Sequence, residues 1–159
     1  MKSITLRPRL SHAVVLGSLL LVACPAIASE PQAMPPQATE ADEQALARKP
    51  LEAYVQGHAT GDGAHMRRAF LPTARIQGIR DGKYVSRTLD EFVAGFTGKP
   101  AEDEARRRRS IDAVDISGTA AMARVTLDYP TVIFTDYFVL LKVDGEWKIV
   151  DKVYSAQKK

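Results

Sequence analysis

The sequence predicts an α+β domain in which helices cover one face of an antiparallel sheet. Helix signals group early in the folded part of the 159-residue chain, and strand signals run on to its end. The clearest strand signal is Pro130–Ser155, two Val-, Ile- and aromatic-rich runs joined by the two-residue turn signal Asp144-Gly145. Helices grouped before strands favour separate layers over an alternating parallel arrangement.

Residues 1–28 predict a signal peptide. Three basic residues and no acid precede an apolar run over 13–23, and the small-residue cleavage pattern Ala26-Ile27-Ala28 follows. The run is too short for a permanent transmembrane helix. We therefore expect an exported, periplasmic protein.

Cys24 offers an alternative. The run Leu21-Val22-Ala23-Cys24 resembles the lipobox of bacterial lipoproteins, in which the cysteine is acylated and becomes the mature N-terminus. The protein would then be a lipoprotein anchored to the membrane at Cys24. Cleavage after Ala28 instead leaves a mature chain with no cysteine, and hence with no disulfide and no thiolate metal site.

The charge of the mature chain excludes one class of partner. Without the three basic residues of the signal peptide, basic residues equal the 19 acidic ones in number. A neutral domain offers no electrostatic basis for nucleic-acid binding. Residues 29–40 are Pro-rich and predict a flexible linker, so the domain proper is expected over 41–159.

The first helix is predicted over residues 40–60, capped by Thr39 with Asp42 three residues on. Pro50 interrupts this pattern and should kink the helix or mark its true first turn, and we expect the second, with the fold beginning near Arg48. One helical face collects Leu46, Leu51, Tyr54, Val55 and His58.

Shorter elements follow. The capping box of Thr88 and Glu91 predicts a third helix, and Asp81-Gly82 predicts a turn between two short strands. The remaining boundaries are a second helix over 63–71 that Pro72 ends, strands over 73–79 and 83–87, and later strands over 111–116 and 119–129.

Four arginines, Arg106–Arg109, follow three acidic residues. They are either an anion-binding site or a solvated loop, and the neighbouring acids favour the loop. On the last strand, simple alternation puts Lys148 and Lys152 on one face, where they could pair with Asp128 or Glu146 or line a pocket mouth. Trp147, on the opposite face, is expected to pack in the core or a dimer interface.

The strand over 131–143 is apolar on both faces, which indicates burial on both sides. Helices can cover one side, and we expect a second copy to cover the other, giving a homodimer through the sheet face. Asp136 lies on the first face between Phe134 and Phe138. A carboxylate there needs a partner or a function.

Cofactor and metal motifs are absent from the sequence. There is no Gly-rich phosphate loop and no G-x-S-x-G elbow, and His58 and His65 lack H-x-x-x-H spacing. We therefore predict no cofactor and no metal site.

Several motifs carry a resemblance over about Leu46–Ser155. They are Y-V-x-G-x-x-x-G-D from Tyr54, A-F-x-P-x-A-x-I from Ala69, T-x-x-E-F from Thr88, and T-D-Y-F-x-L-L-K-x-x-G-x-W-K-I-V-x-K from Thr135. The chain resembles the nuclear transport factor 2-like superfamily, most of all its bacterial lumazine-binding and SnoaL-like groups. The resemblance implies a cone (a cystatin-like roll), with a curved antiparallel sheet over three N-terminal helices and a pocket at the open end.

The ketosteroid isomerases of the same superfamily imply a site. Their catalytic tyrosine falls on Tyr54, and the aspartic acid of their oxyanion hole falls on Asp136. That pair is a known example of a carboxylic acid kept protonated in an apolar site. Their general base falls on Gly78, next to Gln77, and neither residue can take a proton from carbon.

Three functions stay open. The favoured one is binding of a small apolar or heteroaromatic molecule without chemistry, with Tyr54 and Asp136 as polar anchors and His58, Phe134 and Phe138 around them. The second is an isomerase- or cyclase-like enzyme with His58 as acid-base. In the third, Tyr54 and Asp136 satisfy each other in the core, and the protein is a structural or protein-interaction module.

Overall fold

The computed structural model describes residues 39–159. The predicted signal peptide, Cys24 and nearly all of the predicted linker lie outside the described residues. Within them, three α-helices lie against a curved, unclosed six-stranded sheet, which confirms the predicted α+β cone. No helix in this part of the chain is long and apolar enough to cross a membrane.

The helices are α1 (Glu40–Thr60), α2 (Gly63–Ala69) and α3 (Leu89–Val93), with a 3-10 turn at Glu104–Arg106. The strands are β1 (Phe70–Arg80), β2 (Lys83–Thr88), β3 (Arg108–Ser117), β4 (Ala120–Tyr129), β5 (Val132–Val143) and β6 (Glu146–Lys158). They are ordered β2-β1-β6-β5-β4-β3. Every neighbouring pair is antiparallel except β1–β6, which is parallel. For this one pair the predicted antiparallel arrangement is wrong. The long connection through β2, α3 and β3–β5 leaves that pair free to run parallel.

Helix α1 runs through Pro50 without a break, so the expected start near Arg48 is wrong. Thr39 and Asp42 form the complete capping box and fix the earlier first turn. Glu43 then ties that turn to the sheet by accepting hydrogen bonds from Lys142 (2.6 Å) and the Trp147 indole (3.1 Å). These contacts outweigh the helix bond that proline lacks. The buried stripe is Ala47, Pro50, Leu51, Tyr54 and Gly57.

Helix α2 ends two residues before the predicted boundary, and Pro72 lies inside β1 rather than ending the helix. The strand tolerates proline there because its ladder is interrupted. Pairing with β6 shifts between Phe70 and Arg75, and pairing with β2 begins only at Arg75.

Strands β3–β6 form the predicted meander. In β5, Asp136, Phe138 and Leu140 are buried while Tyr137 and Val139 are exposed, as the alternation predicts. The same holds for β4, whose buried residues are Ala121, Ala123, Val125, Leu127 and Tyr129.

Strand β6 carries a bulge that its alternating sequence pattern does not predict. Its pairing with β5 shifts between Val139 and Leu140, leaving Val150 unpaired. Trp147 is buried before the bulge and Lys152 is buried after it. The extra residue flips the strand by one face, so the prediction that Lys148 and Lys152 share a face was wrong.

The arginine run is not simply a solvated loop, which corrects that interpretation. The Arg109 side chain is only 6% exposed and forms a two-pronged ion pair with Glu104 (2.5 and 2.7 Å). Arg107 pairs with Asp103 (2.7 Å), and its guanidinium lies 4.3 Å from the centre of the Tyr129 ring. The run thus fixes the 3-10 turn against the sheet.

Candidate functional site

A cavity of about 150 Å³ lies between α1, α3 and the inner face of the sheet. Its wall is mostly apolar and aromatic, with a few polar groups, as is typical of small-molecule sites. Helix α1 contributes Tyr54 and His58, and α3 contributes Phe92. The strands contribute Ile76, Arg80, Arg87, Leu127, Tyr129, Phe134, Lys152 and Tyr154.

A buried cluster of three polar side chains closes one part of this cavity. The Tyr54 hydroxyl donates to Oδ2 of Asp136 (2.5 Å). The Lys152 ammonium donates to the Tyr54 oxygen (2.8 Å) and to Oδ1 of Asp136 (2.9 Å). The Asp136 side chain is 0% exposed and that of Lys152 is 6% exposed. Tyr54 and Lys152 line the cavity, whereas Asp136 lies behind them.

This geometry differs from the arrangement that the isomerase resemblance implies. In that arrangement tyrosine and a protonated aspartic acid both donate to the ligand. Here the Tyr54 hydroxyl donates its hydrogen bond to Asp136 rather than to the cavity, and the ion pair with Lys152 occupies the other carboxylate oxygen. Tyr54 and Asp136 thus hydrogen-bond to each other, which is the geometry expected under the third of the three functions considered above. Lys152, by contrast, brings a hydrogen-bond donor to the cavity.

Burial shifts the ionisation of both cavity-lining members. It raises the pKa of Tyr54 well above its ordinary value, and the Asp136 charge adds to this. Burial also lowers the pKa of Lys152, although Asp136 opposes that change. Tyr54 is therefore neutral at pH 7, and the Lys152 proton is held less firmly than that of a surface lysine.

His58 lies beside this cluster, and its ring contacts those of Tyr54 and Phe96 (centroids 4.7 and 5.3 Å). Nε2 is buried and has no hydrogen-bond partner among the described residues. Burial first, and then the charges of Lys152 and Arg109, lower its pKa well below the ordinary value. His58 is thus a neutral imidazole on the cavity wall. Within residues 39–159 no three His, Cys, Asp or Glu side chains could hold a metal ion.

The position expected for a general base is filled by an aromatic ring. Gly78 pairs with Tyr154 across β1 and β6, and a Cβ at Gly78 would lie 2.7 Å from that ring. The Gln77 side chain is engaged elsewhere, since it donates to Asp151 (3.2 Å) and accepts from Tyr84 (2.5 Å). Neither residue lines the cavity.

Two exposed arginines mark where the cavity meets solvent. Arg80 and Arg87 both line it, and neither forms a side-chain hydrogen bond or ion pair with another described residue. The nearby carboxylates are engaged elsewhere: Asp81 accepts from Lys158 (2.9 Å) and Glu91 caps α3. Both guanidiniums are therefore available to an anion.

Of the site residues suggested by the sequence, Tyr54, His58 and Phe134 line the cavity, whereas Asp136 and Phe138 do not. Phe138 packs on the Tyr54 ring instead (5.0 Å between centroids). Lys152 was expected at a pocket mouth or paired with Asp128 or Glu146, and it does line the cavity, but its pairing with Asp136 was not predicted because the bulge at Val150 was not. The lining residues that the sequence did not suggest are Ile76, Arg80, Arg87, Phe92, Leu127, Tyr129 and Tyr154.

A family model described as "Putative lumazine-binding" matches residues 42–155, most of the chain. The chain belongs to this family. The match covers α1 from its first turn to the end of the cavity-lining part of β6, so the whole candidate site lies inside it.

Solved structures agree at the level of the fold. An NTF2-like protein of unknown function from Shewanella baltica is 31% identical, with a TM-score of 0.69, over 77% of this chain and 100% of that one. Another from Silicibacter pomeroyi is 28% identical (TM-score 0.67; 75% and 99% covered). A third from Methylobacillus flagellatus is 30% identical (TM-score 0.65; 75% and 95% covered). These similarities confirm the predicted superfamily.

One curated relative carries a name that states an activity. It is the aldolase FrzH of a Cladobotryum species, 22% identical over 103 residues, which are 65% of this chain and 82% of the relative.

Proposed function

We propose that the protein binds a small apolar or heteroaromatic molecule bearing an anionic group in the cavity of the cone. The family to which the chain belongs is described by ligand binding, which supports the class of function. The observation that carries the proposal is the distribution of charge. Three described residues on the cavity wall, Arg80, Arg87 and Lys152, are cationic, and none is acidic.

The size of the cavity limits the ligand. A cavity of about 150 Å³ lined by apolar side chains holds a molecule of roughly benzene size. One ring can therefore lie inside, between aromatic side chains such as Phe92 and Phe134. The rest of a larger molecule extends towards Arg80 and Arg87.

Lys152 supplies the inner anchor. An ammonium carries three hydrogens, and Tyr54 and Asp136 accept two of them. The third is left for an acceptor atom of the ligand. Asp136, which the sequence suggested as a direct anchor, acts from behind by fixing Lys152 and Tyr54.

Titration calorimetry with 4-(hydroxymethyl)benzoate and its uncharged amide tests this proposal. We expect the carboxylate to bind more tightly than the amide. The double variant Arg80→Gln, Arg87→Gln should weaken binding of the carboxylate roughly tenfold, because charge-assisted hydrogen bonds are lost. Arg75→Gln is the matched control, since Arg75 lies on the same strand but does not line the cavity. Equal binding of acid and amide would count against the proposal. Native mass spectrometry of protein purified from its own host then identifies the natural ligand.

Catalysis is the second candidate. Two observations favour it, namely the neutral, unpartnered His58 Nε2 on the cavity wall and the relative named an aldolase. An isomerase- or cyclase-like enzyme using His58 as acid-base would turn over the ligand found by mass spectrometry, and His58→Ala would abolish that rate. Binding without turnover leaves the first proposal standing alone.

We also propose a homodimer through the outer face of the sheet. Met122 (63% exposed), Tyr137 (51%), Val139 (45%) and Val153 (48%) lie on the central strands β4, β5 and β6. Arg124 and Asp151 border this patch with opposite charges, which suits a face that must complement itself.

Export is proposed from the first 28 residues alone. The intact mass of the mature protein tests it. A chain beginning at Ser29 supports cleavage after Ala28, a diacylated chain beginning at Cys24 supports the lipoprotein, and an intact Met1 contradicts both.

A further inference from the structure

Lys152 is the only buried lysine among the described residues, and it lies on the wall of a cavity rather than in solid core. Its nitrogen is 2.8 Å from a phenol oxygen and 2.9 Å from a carboxylate oxygen. A buried ion pair with a purely structural role has no need of a cavity beside its amine. An amine, a carboxylate and a phenol together are the groups that carbonyl condensation uses.

We propose that Lys152 captures an aldehyde or ketone in the cavity as a protonated imine. This inference rests on the proposed binding function, and it names the reactive group of the ligand. No described residue other than Lys152 places an amine on the cavity wall.

The proton inventory of the cluster balances the reaction. The Lys152 ammonium passes one proton to Asp136, and the free amine attacks the carbonyl carbon to give a carbinolamine. The C–O bond then breaks, the nitrogen lone pair forms the C=N bond, and the oxygen leaves as water. In total one ammonium and one carbonyl give one iminium and one water, with no oxidant or reductant.

Each partner has a defined task in these steps. Asp136 takes the first proton and returns it through Tyr54, to which it is joined by the 2.5 Å hydrogen bond. Tyr54 delivers that proton to the leaving hydroxyl as general acid. The iminium keeps the positive charge of the ammonium, so Asp136 ends with the same counter-charge that it had before.

Burial supports this chemistry, because it lowers the pKa of Lys152 and so raises the fraction of free amine. An iminium withdraws electrons from the neighbouring carbon and so stabilises negative charge that develops there. Amine-catalysed aldol additions and decarboxylations depend on this stabilisation. The site could therefore activate a bound carbonyl compound as well as hold it.

Reductive trapping tests the proposal on the full mature protein. The probe is 4-formylbenzoate with cyanoborohydride at pH 7, followed by peptide mass mapping. A trapped imine adds the mass of the aldehyde less one oxygen atom and blocks trypsin at Lys152. We expect this lysine to be labelled at least roughly tenfold faster than any other, because the bound aldehyde reacts as an intramolecular partner.

Two variants separate the cluster from general lysine reactivity. Tyr54→Phe should slow trapping about a hundredfold at saturating 4-formylbenzoate, where a change in affinity no longer affects the rate, since it removes the general acid. Lys148→Arg is the matched control, because Lys148 lies on the same strand outside the cavity and pairs with Glu146 (2.9 Å). It should leave trapping unchanged.

The two failures are distinguishable. If neither benzoate binds, the proposed binding function is wrong. If 4-(hydroxymethyl)benzoate binds but labelling is spread over the exposed lysines, the imine proposal is overturned and the binding function stands. Mapping on the wild-type protein decides this without any variant that could misfold.

Discussion

At the scale of single residues, the Lys152–Asp136 pair carries a large desolvation cost inside the core. Both side chains are almost fully removed from water, and the charges are tolerated only together. Asp136→Asn should therefore lower the free energy of unfolding by about 3 kcal/mol, because it leaves a buried ammonium without a counter-charge. Urea unfolding measures the change.

A second substitution tests that explanation. In Asp136→Asn with Lys152→Met, the unpaired charge is gone, so part of the lost stability should return. Asp128→Asn breaks the exposed Asp128–Lys159 pair and should cost about 1 kcal/mol at most. If Asp136→Asn lowered the free energy of unfolding as little as this control, Lys152 and Asp136 would not form the buried ion pair that we describe.

His58 makes stability depend on pH. Its pKa in the folded protein is lowered from 6.5, so the unfolded chain takes up the proton more readily. Above pH 6.5 both states are neutral at His58, and below it the free energy of unfolding falls. Between pH 7.5 and 5.5 the wild type should lose about 1 kcal/mol more than His58→Leu. Denaturant titrations at the two pH values check this, and an equal loss in both proteins would contradict it. The same titrations on His65→Gln show whether the effect belongs to His58.

At the scale of elements, the bulge in β6 separates the site residues whose burial the sequence predicts from those whose burial it does not. Alternation in β4 and β5 follows the pleat without interruption, so the buried position of Asp136 was readable from its neighbours. Val150 gives no glycine or turn signal of a bulge, since it is an ordinary strand residue between Ile149 and Asp151. Lys152 could therefore not be predicted as the partner of Asp136, although the sequence indicated that this carboxylate needs one.

The helices show the same division between local and distant information. The capping residues Thr39 and Thr88 act within one turn, and both capping boxes were predicted correctly. The effect of Pro50 was predicted wrongly because the helix turn before it is held by hydrogen bonds from Lys142 and Trp147 to Glu43. These two donors lie 92 and 97 residues after Pro50 in the sequence. Contacts that distant leave no periodicity in the sequence.

The packing of β1 against β6 gives a prediction at this scale. Gly78→Ala puts a Cβ 2.7 Å from the Tyr154 ring, which is held on the neighbouring strand. We expect a loss of about 1–3 kcal/mol from this overpacking, measured by thermal or urea unfolding. In a Tyr154→Leu background the same change should cost much less. An equal cost in both backgrounds would show that the ring is not the obstacle.

At the scale of the whole molecule, one face of the sheet is covered by helices and the other is exposed. The exposed apolar residues run across neighbouring strands in register, with Met122 beside Val139 and Tyr137 beside Val153. Exposed apolar patches of this kind are typical of protein–protein interfaces, and the homodimer that we propose would cover this one. We therefore expect a dimer in sedimentation equilibrium at micromolar concentration.

Tyr137→Glu should convert that dimer to a monomer, because it places a charge at the centre of the patch and would bury it without a partner. Ile79→Glu is the comparison, since Ile79 is similarly exposed (56%) but lies on β1 outside the patch. It should leave the dimer intact. The cavity lies on the opposite face of the sheet, so the Tyr137→Glu monomer should still bind 4-(hydroxymethyl)benzoate with the wild-type affinity. Loss of binding on dissociation would mean instead that dimerisation and the cavity are coupled through the strands β5 and β6 that both faces share.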